Sequence, residues 1–337
     1  MKLASGLPSG VRALLFESAE RRRAAEGLCV AVLGAAGFRE AILPVLDYFA
    51  PYEPILGASA RAELYRFADR AGELLALRAD FTPQLARLLA PHLPELPDPL
   101  RIFYRGDVVR AGERFRRAER EVYQLGGEIL GVRGPQLEAE ALAALAGCLA
   151  ALAPPGLRLV VGLAGVLETA AVAAVGAAAA PELAAAIARR ERAAARLAGE
   201  PFVEILDRGV PARAESLGER AAADLARLGT TVEHLAAAFP GLPVTIDLAE
   251  FADWSTLADG RGAERDLRGY YDGLVVRAYA RGAARPVASG GRYDRLFAAL
   301  GAPRAAIGFS LDLDALAALA ESVAPAAAVA RVAEVPA

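Results

Sequence analysis

The 337-residue sequence predicts an α+β fold, an antiparallel sheet flanked by helices and carrying a helical insertion at about 162–240. Three observations predict it. Extended segments rich in β-branched and aromatic residues come in runs rather than alternating one for one with helices, which argues against a parallel sheet. Residues 166–238 are Ala-rich, with breaks near Pro181, Gly199, Pro201, Pro211 and Gly229, the pattern of several short helices. Residues 101–131, RIFYRGDVVRAGERFRRAEREVYQLGGEILG, read as two strands joined by a long charged turn.

In chain order, residues 12–36 form an amphipathic helix closed by Gly37. Residues 38–43 follow as a strand, and Pro44, which cannot donate to a ladder, marks an edge or an interface. Residues 47–61 read as loop, and 64–69 with 74–78 read as a hairpin turning at Gly72. Residues 136–152 are helical and 157–161 extended. After the insertion, 243–248 returns to strand, 252–265 is a charged loop, and 267–280 is a strand pair or bent strand. Residues 286–292 lead into Gly290-Gly291-Arg292-Tyr293-Asp294, 306–309 is a short strand, and 312–321 is a helix with Asp312 as N-cap. Residues 1–320 are expected to form one core fold, and the low-complexity residues 321–337 a flexible tail.

Composition excludes several function classes. Net charge is −3 and the sequence pI about 5.7, so nothing draws the chain to nucleic acid in general. Lys2 is the only lysine, so the basic residues are almost all arginine. His92 and His234 are isolated, which argues against a His-based metal site. Cys29 and Cys148 stand in apolar helical contexts, as buried thiols in a reducing cytosol would. The first residues are too polar, and too broken by Pro8 and Gly10, for a signal peptide, and the Ala-rich segments carry too many charges for a membrane span. No nucleotide- or dinucleotide-binding glycine motif and no Cys-x-x-Cys occurs, so no cofactor is expected.

The candidate site lies on the second strand, 121–130. Its period of two sends Tyr123, Leu125 and Ile129 to a packed face and Gln124, Gly126 and Glu128 to the other. There the glycine leaves a small hollow between an amide and a carboxylate, and Arg110 can stand at its rim. A carboxylate for an ammonium and an arginine for a carboxylate suit a small zwitterion; a solvated hairpin face is the competing reading. At 77–84, LRADFTPQ, Thr82 is a good N-cap and Pro83 a good first helical residue. Asp80 and Thr82 therefore either serve only the helix start or also hold an ammonium. The turn 112–120, GERFRRAER, is either a solvated tip or a contact for an acidic partner surface.

These residues together resemble the class II aminoacyl-tRNA synthetase core, and within it the histidyl-tRNA synthetase branch. The resemblance runs from about Leu7 to Leu319 and is weakest in the helical insertion. Residues 38–44 resemble motif 1, whose proline lies at the dimer interface, 101–131 resemble motif 2, and 307–316 resemble motif 3. Carried over by position, the histidine contacts implied are Asp80, Thr82, Gln124, Glu128 and Tyr293, with Arg110 as the motif 2 arginine. Arg268, with Tyr270 or Tyr271, matches the histidine-specific RG…YY stretch, although 252–265 reads as inserted before it.

Two departures decide what that resemblance implies. The motif 3 arginine that stacks on adenine is Ala315 here, and the motif 2 glutamate that grips it is Gly112. Each lost charged contact removes roughly 1.5–3 kcal/mol of nucleotide binding. The stretch after Leu316 is also too short for an anticodon-binding domain, which needs of order 100 residues. A histidyl-synthetase-like core with GFSLDLDAL at motif 3 resembles the regulatory-subunit family of ATP phosphoribosyltransferase. That implies a non-catalytic subunit, needed for the first step of histidine biosynthesis and for feedback by histidine. Its implied partners are a short catalytic subunit, a second copy of itself through the motif 1 region, and histidine as effector, with no nucleic acid and no membrane, in the cytoplasm. The competing readings are a truncated histidyl-tRNA synthetase or histidine-activating ligase, and a free-standing amino-acid-binding module.

Overall fold

The structure, a computed structural model, describes residues 6–53, 55–56, 61–111, 119–131, 135–251 and 271–320. An eight-stranded sheet runs in the order β1 (Arg39–Glu40), β5 (Leu100–Val109), β6 (Glu121–Leu130), β11 (Ala306–Asp312), β10 (Ala288–Arg292), β9 (Leu274–Tyr279), β7 (Arg158–Leu163), β8 (Val244–Ile246), and a separate three-stranded sheet in the order β2 (Leu46–Tyr48), β4 (Leu74–Leu77), β3 (Arg66–Ala68). The expected central hairpin is β5 (Leu100–Val109) and β6 (Glu121–Leu130), paired over its full length with Tyr104 opposite Gly126 and Gly106 opposite Gln124. The middle of the large sheet is antiparallel, continuing through β11 (Ala306–Asp312), β10 (Ala288–Arg292), β9 (Leu274–Tyr279) and β7 (Arg158–Leu163). Both edges are parallel pairs, β1 (Arg39–Glu40) with β5 and β7 with β8 (Val244–Ile246), so the sheet is mixed rather than antiparallel throughout.

Three further expectations are corrected. The motif 1-like strand is two residues long, because Ala41 still bonds Phe103 but the chain then turns away toward Pro44. The stretch expected as loop holds β2 (Leu46–Tyr48), which completes a sheet with the hairpin β3 (Arg66–Ala68) and β4 (Leu74–Leu77). Residues 306–309 extend to a seven-residue strand. The loop 252–265, residues 112–118 of the charged turn, Gly112, Arg268, Tyr270 and the tail 321–337 lie outside the described residues.

One face of the sheet packs on α1 (Glu17–Ala35) and α3 (Pro135–Leu152), whose Ala25, Cys29, Val32, Leu142, Leu145 and Leu149 meet Tyr123, Leu125 and Ile129. Each large aliphatic side chain buried there contributes roughly 1.5–3 kcal/mol. The helices α4 (Val166–Val175), α5 (Ala180–Ala188), α6 (Arg192–Ala198), α7 (Glu200–Arg208) and α8 (Glu219–Ala238) form the crossover between β7 and β8 and share this core. Across the sheet, α2 (Phe81–Leu89) and the short α9 (Asp294–Ala299) close a second core around Tyr104, Val108, Val122 and Leu130. The last described helix, α10 (Leu313–Leu319), starts as expected, with Asp312 accepting from the amide of Ala315. The candidate site lies between the sheet and α2.

Candidate functional site

Strand parity puts Gln124, Gly126 and Glu128 on the α2 side of the sheet, and the structure keeps them there. Glu128 is buried and its carboxyl group receives three hydroxyls. Thr82 donates at 2.7 Å and Tyr104 at 3.1 Å to Oε1, and Tyr293 donates at 2.5 Å to Oε2. Each donor comes from a different element: the first turn of α2, the middle of β5, and the residue before α9. The carboxyl lies over Gly308 on the neighbouring strand, in space that a side chain there would need. Burial pushes its pKa up to about 7, against the three hydroxyl bonds, and the negative charge of Asp80 adds to the rise. A carboxyl held by neutral donors alone has its bonds but no counter-charge.

Asp80 and Thr82 divide the work differently from the sequence expectation. Asp80 is the N-cap of α2, accepting from the amide of Thr82 at 3.1 Å, and Thr82 sits inside the first turn. The correction has a physical reason: the β-region backbone of Asp80 leaves its carboxylate beside the first amides, so the Thr82 hydroxyl is released to Glu128. Burial raises the pKa of Asp80, while Arg110 pulls it down. Arg110 is anchored at the end of β5 by its Nε, which donates to the Ala79 carbonyl at 3.1 Å.

Gln124 is buried, and its side-chain oxygen has no hydrogen-bond partner among the described residues. Gly126 does not leave an empty hollow. A side chain there would meet the Tyr104 hydroxyl at 2.5 Å and the Phe309 carbonyl at 2.6 Å. Tyr104 fills the space because it faces Gly126 across the hairpin and stacks on Phe81, with ring centroids 4.2 Å apart. Tyr104 is the site residue that sequence reasoning missed. Pairing the two strands through their turn would have put it on the same face as Gly126, since directly opposed residues share a face. Tyr271 packs its ring against Gly291 of β10, farther along the same face. Tyr293 is buried beside Glu128, and Arg268 lies outside the described residues. The structure thus gathers Asp80, Thr82, Glu128 and Tyr293 around one carboxyl, with Arg110 beside Asp80 and Gln124 on the strand of Glu128.

Comparison with known proteins gives the family of the chain. The sequence model of the histidyl-tRNA synthetase family matches residues 10–316. The ATP phosphoribosyltransferase regulatory subunit of Anaeromyxobacter dehalogenans is 35% identical, over 91% of this chain and 89% of its own length. That of Symbiobacterium thermophilum is 34% identical, over 92% of this chain and 78% of its own. A solved structure of an ATP phosphoribosyltransferase regulatory subunit/histidyl-tRNA synthetase from Bacillus halodurans superposes with a TM-score of 0.78. It covers 96% of this chain and 84% of that one at 23% identity, and shows the fold. The chain belongs to the histidyl-tRNA synthetase family and, within it, to the ATP phosphoribosyltransferase regulatory subunits.

Proposed function

We propose that this chain regulates an ATP phosphoribosyltransferase at the first step of histidine biosynthesis, and that its effector histidine seats at the Glu128 cluster. One observation carries the ligand reading: a buried carboxyl held by three hydroxyls, with the Asp80 charge near enough to raise its pKa. Among the described residues Glu128 is bonded by neutral donors only, and an α-ammonium would supply both a counter-charge and N–H donors. The buried Gln124 oxygen needs a donor as well. Arg110, held at the rim by Ala79, is available to the carboxylate of the same zwitterion.

The chain contributes regulation rather than chemistry, and the transfer belongs to a short catalytic subunit. Supporting this, Ala315 gives its amide to Asp312 as a helix cap, and its methyl side chain offers nothing to stack on a purine. The subunit pairs with a second copy through the motif 1 region. Ile42 and Val45 are exposed after β1, and Leu46, Tyr48 and Phe67 are exposed on one face of the small sheet, apolar surface of the kind that interfaces cover. Among the described residues no helix is long and apolar enough to cross a membrane, and we place the assembly in the cytoplasm.

Calorimetric titration with histidine tests the reading directly. Saturable binding to the purified chain, lost in Glu128→Gln, is expected, together with weaker histidine inhibition of the complex reconstituted with the catalytic subunit. Unchanged inhibition in that variant would move the effector site elsewhere. Histidine-dependent pyrophosphate exchange by the chain alone would replace the regulatory reading with a ligase.

A further inference from the structure

The apolar face around Ile42 and the Glu128 cluster are joined by one buried guanidinium. Arg78 lies on the segment between β4 and α2, two residues before Asp80. Its Nη1 donates to the carbonyls of Leu43 at 2.9 Å and Pro44 at 3.1 Å, where the motif 1-like segment turns away from the sheet. Its Nε and Nη2 donate to the Asp107 carbonyl of β5 at 3.2 and 2.9 Å. Its backbone takes part too: the Arg78 amide donates to Val45, and the Val109 amide donates to the Arg78 carbonyl. Among the described residues the guanidinium bonds carbonyl oxygens only. A buried charge in that position has geometry as its product, because a planar fork ties two other segments, 43–44 and β5, to its own.

On its other side the fork meets the site. The Arg78 guanidinium carbon lies 3.8 Å from the centroid of the Phe81 ring, which stacks in turn on Tyr104. Phe81 precedes Thr82, and both Thr82 and Tyr104 donate to Glu128. The fork rests on Gly106, where φ is +148° and a side chain would meet Nη2 at 3.0 Å. Gly106 pairs across the hairpin with Gln124. A second tie runs alongside, since buried Gln84 of α2 donates to the Pro44 carbonyl at 3.0 Å. A continuous chain of contacts thus runs from 43–45 through the fork and Phe81 to the two hydroxyl donors of Oε1.

We propose that Arg78 is a positioning residue that couples the self-association face to ligand binding at Glu128, so that pairing of two copies and histidine binding favour each other. The inference rests on the reading above, that histidine occupies the Glu128 cluster and that the Ile42 face pairs with a second copy. Coupling of this kind is reciprocal, and a double-mutant cycle isolates it from plain structural damage.

Ile42 is 89% exposed, so Ile42→Asp should break the pairing without disturbing the fold. Histidine affinity of Ile42→Asp, measured by calorimetry on the full chain, is expected to fall at least about fivefold, the low end of ordinary coupling between sites. In the Arg78→Met background, the same Ile42→Asp change should produce no further loss. Equal effects of Ile42→Asp in both backgrounds would overturn the proposal, because a purely structural Arg78 gives additive losses. Hydrogen exchange on the unmodified chain tests it without any variant: histidine should protect the amides of 43–46 as well as those of 79–84. Protection confined to 79–84 would overturn the coupling while leaving the ligand site intact. An unmodified chain that takes up no histidine, or that sediments as a monomer, would overturn both the coupling and the reading beneath it.

Discussion

The Tyr104 hydroxyl stands 2.5 Å from where the first side-chain atom of residue 126 would be, directly across the β5–β6 pair. The absence of a side chain at Gly126 is therefore spent on a second residue of the same protein, which turns inward to bond Glu128. Together they make a closed, hydroxyl-lined carboxyl rather than an open hollow. Three hydroxyls leave one acceptor position on the carboxyl, at Oε2, for a ligand donor.

Gly126→Ala follows from that contact. The added carbon would also press on the Phe309 carbonyl at 2.6 Å, which belongs to the sheet backbone and has little freedom to retreat. Overpacking of this kind costs about 1–3 kcal/mol. A lower thermal midpoint and loss of histidine binding are expected together, measured by calorimetric melting and titration.

Glu128→Gln separates charge from shape. The amide oxygen can still accept from the two hydroxyls at one position, and the amide N–H can donate to the hydroxyl oxygen at the other, so the fold should survive with its melting temperature within a few degrees. Losing the charged partner of an ammonium removes about 1.5–3 kcal/mol of binding, or roughly 10- to 150-fold in affinity. Retention of full affinity in a well-folded Glu128→Gln chain would refute the ammonium seat.

The raised pKa of Glu128 carries a sign. Its folded value of about 7 lies above its ordinary 4.5, so between those values the folded chain holds a proton that the unfolded chain has released. Stability from this group is present below the ordinary value and is lost as pH rises toward 7, up to about 3 kcal/mol in all. Denaturant melts at pH 5 and pH 7.5 should show that loss in the wild type, and a shallower one in Glu128→Gln. An ammonium pairs with the ionised form, so histidine affinity should climb to about pH 7 and then level off. Titration in buffers of different ionisation enthalpy should report proton release near pH 6.

Asp80 and Thr82 can be told apart by conservative changes. Asp80→Asn keeps an acceptor for the Thr82 amide, so stability should hold while histidine affinity drops. Asp80→Ala removes the cap and should cost about 1 kcal/mol of stability in addition. Thr82→Val deletes one bond to Glu128 and should cost about 1 kcal/mol, read from the shift in denaturation midpoint.

The alternation along 121–130 determined by itself which residues share a face with Glu128, because side-chain direction in a strand has a strict period of two. Asp312 as a helix cap and the closure of the second hairpin were legible for the same kind of reason, since each depends on residues a few positions apart. Tertiary structure alone decided that Tyr104 fills the space above Gly126, that Asp80 rather than Thr82 caps α2, and that Arg78 ties 43–45 to β5. It also decided that both sheet edges are parallel. Apart from the Asp80 cap, which turns on the local backbone and on the Thr82 hydroxyl being taken up by Glu128, those outcomes depend on strand register and on which helix covers which face, and the contacts that fix them join residues far apart in the chain.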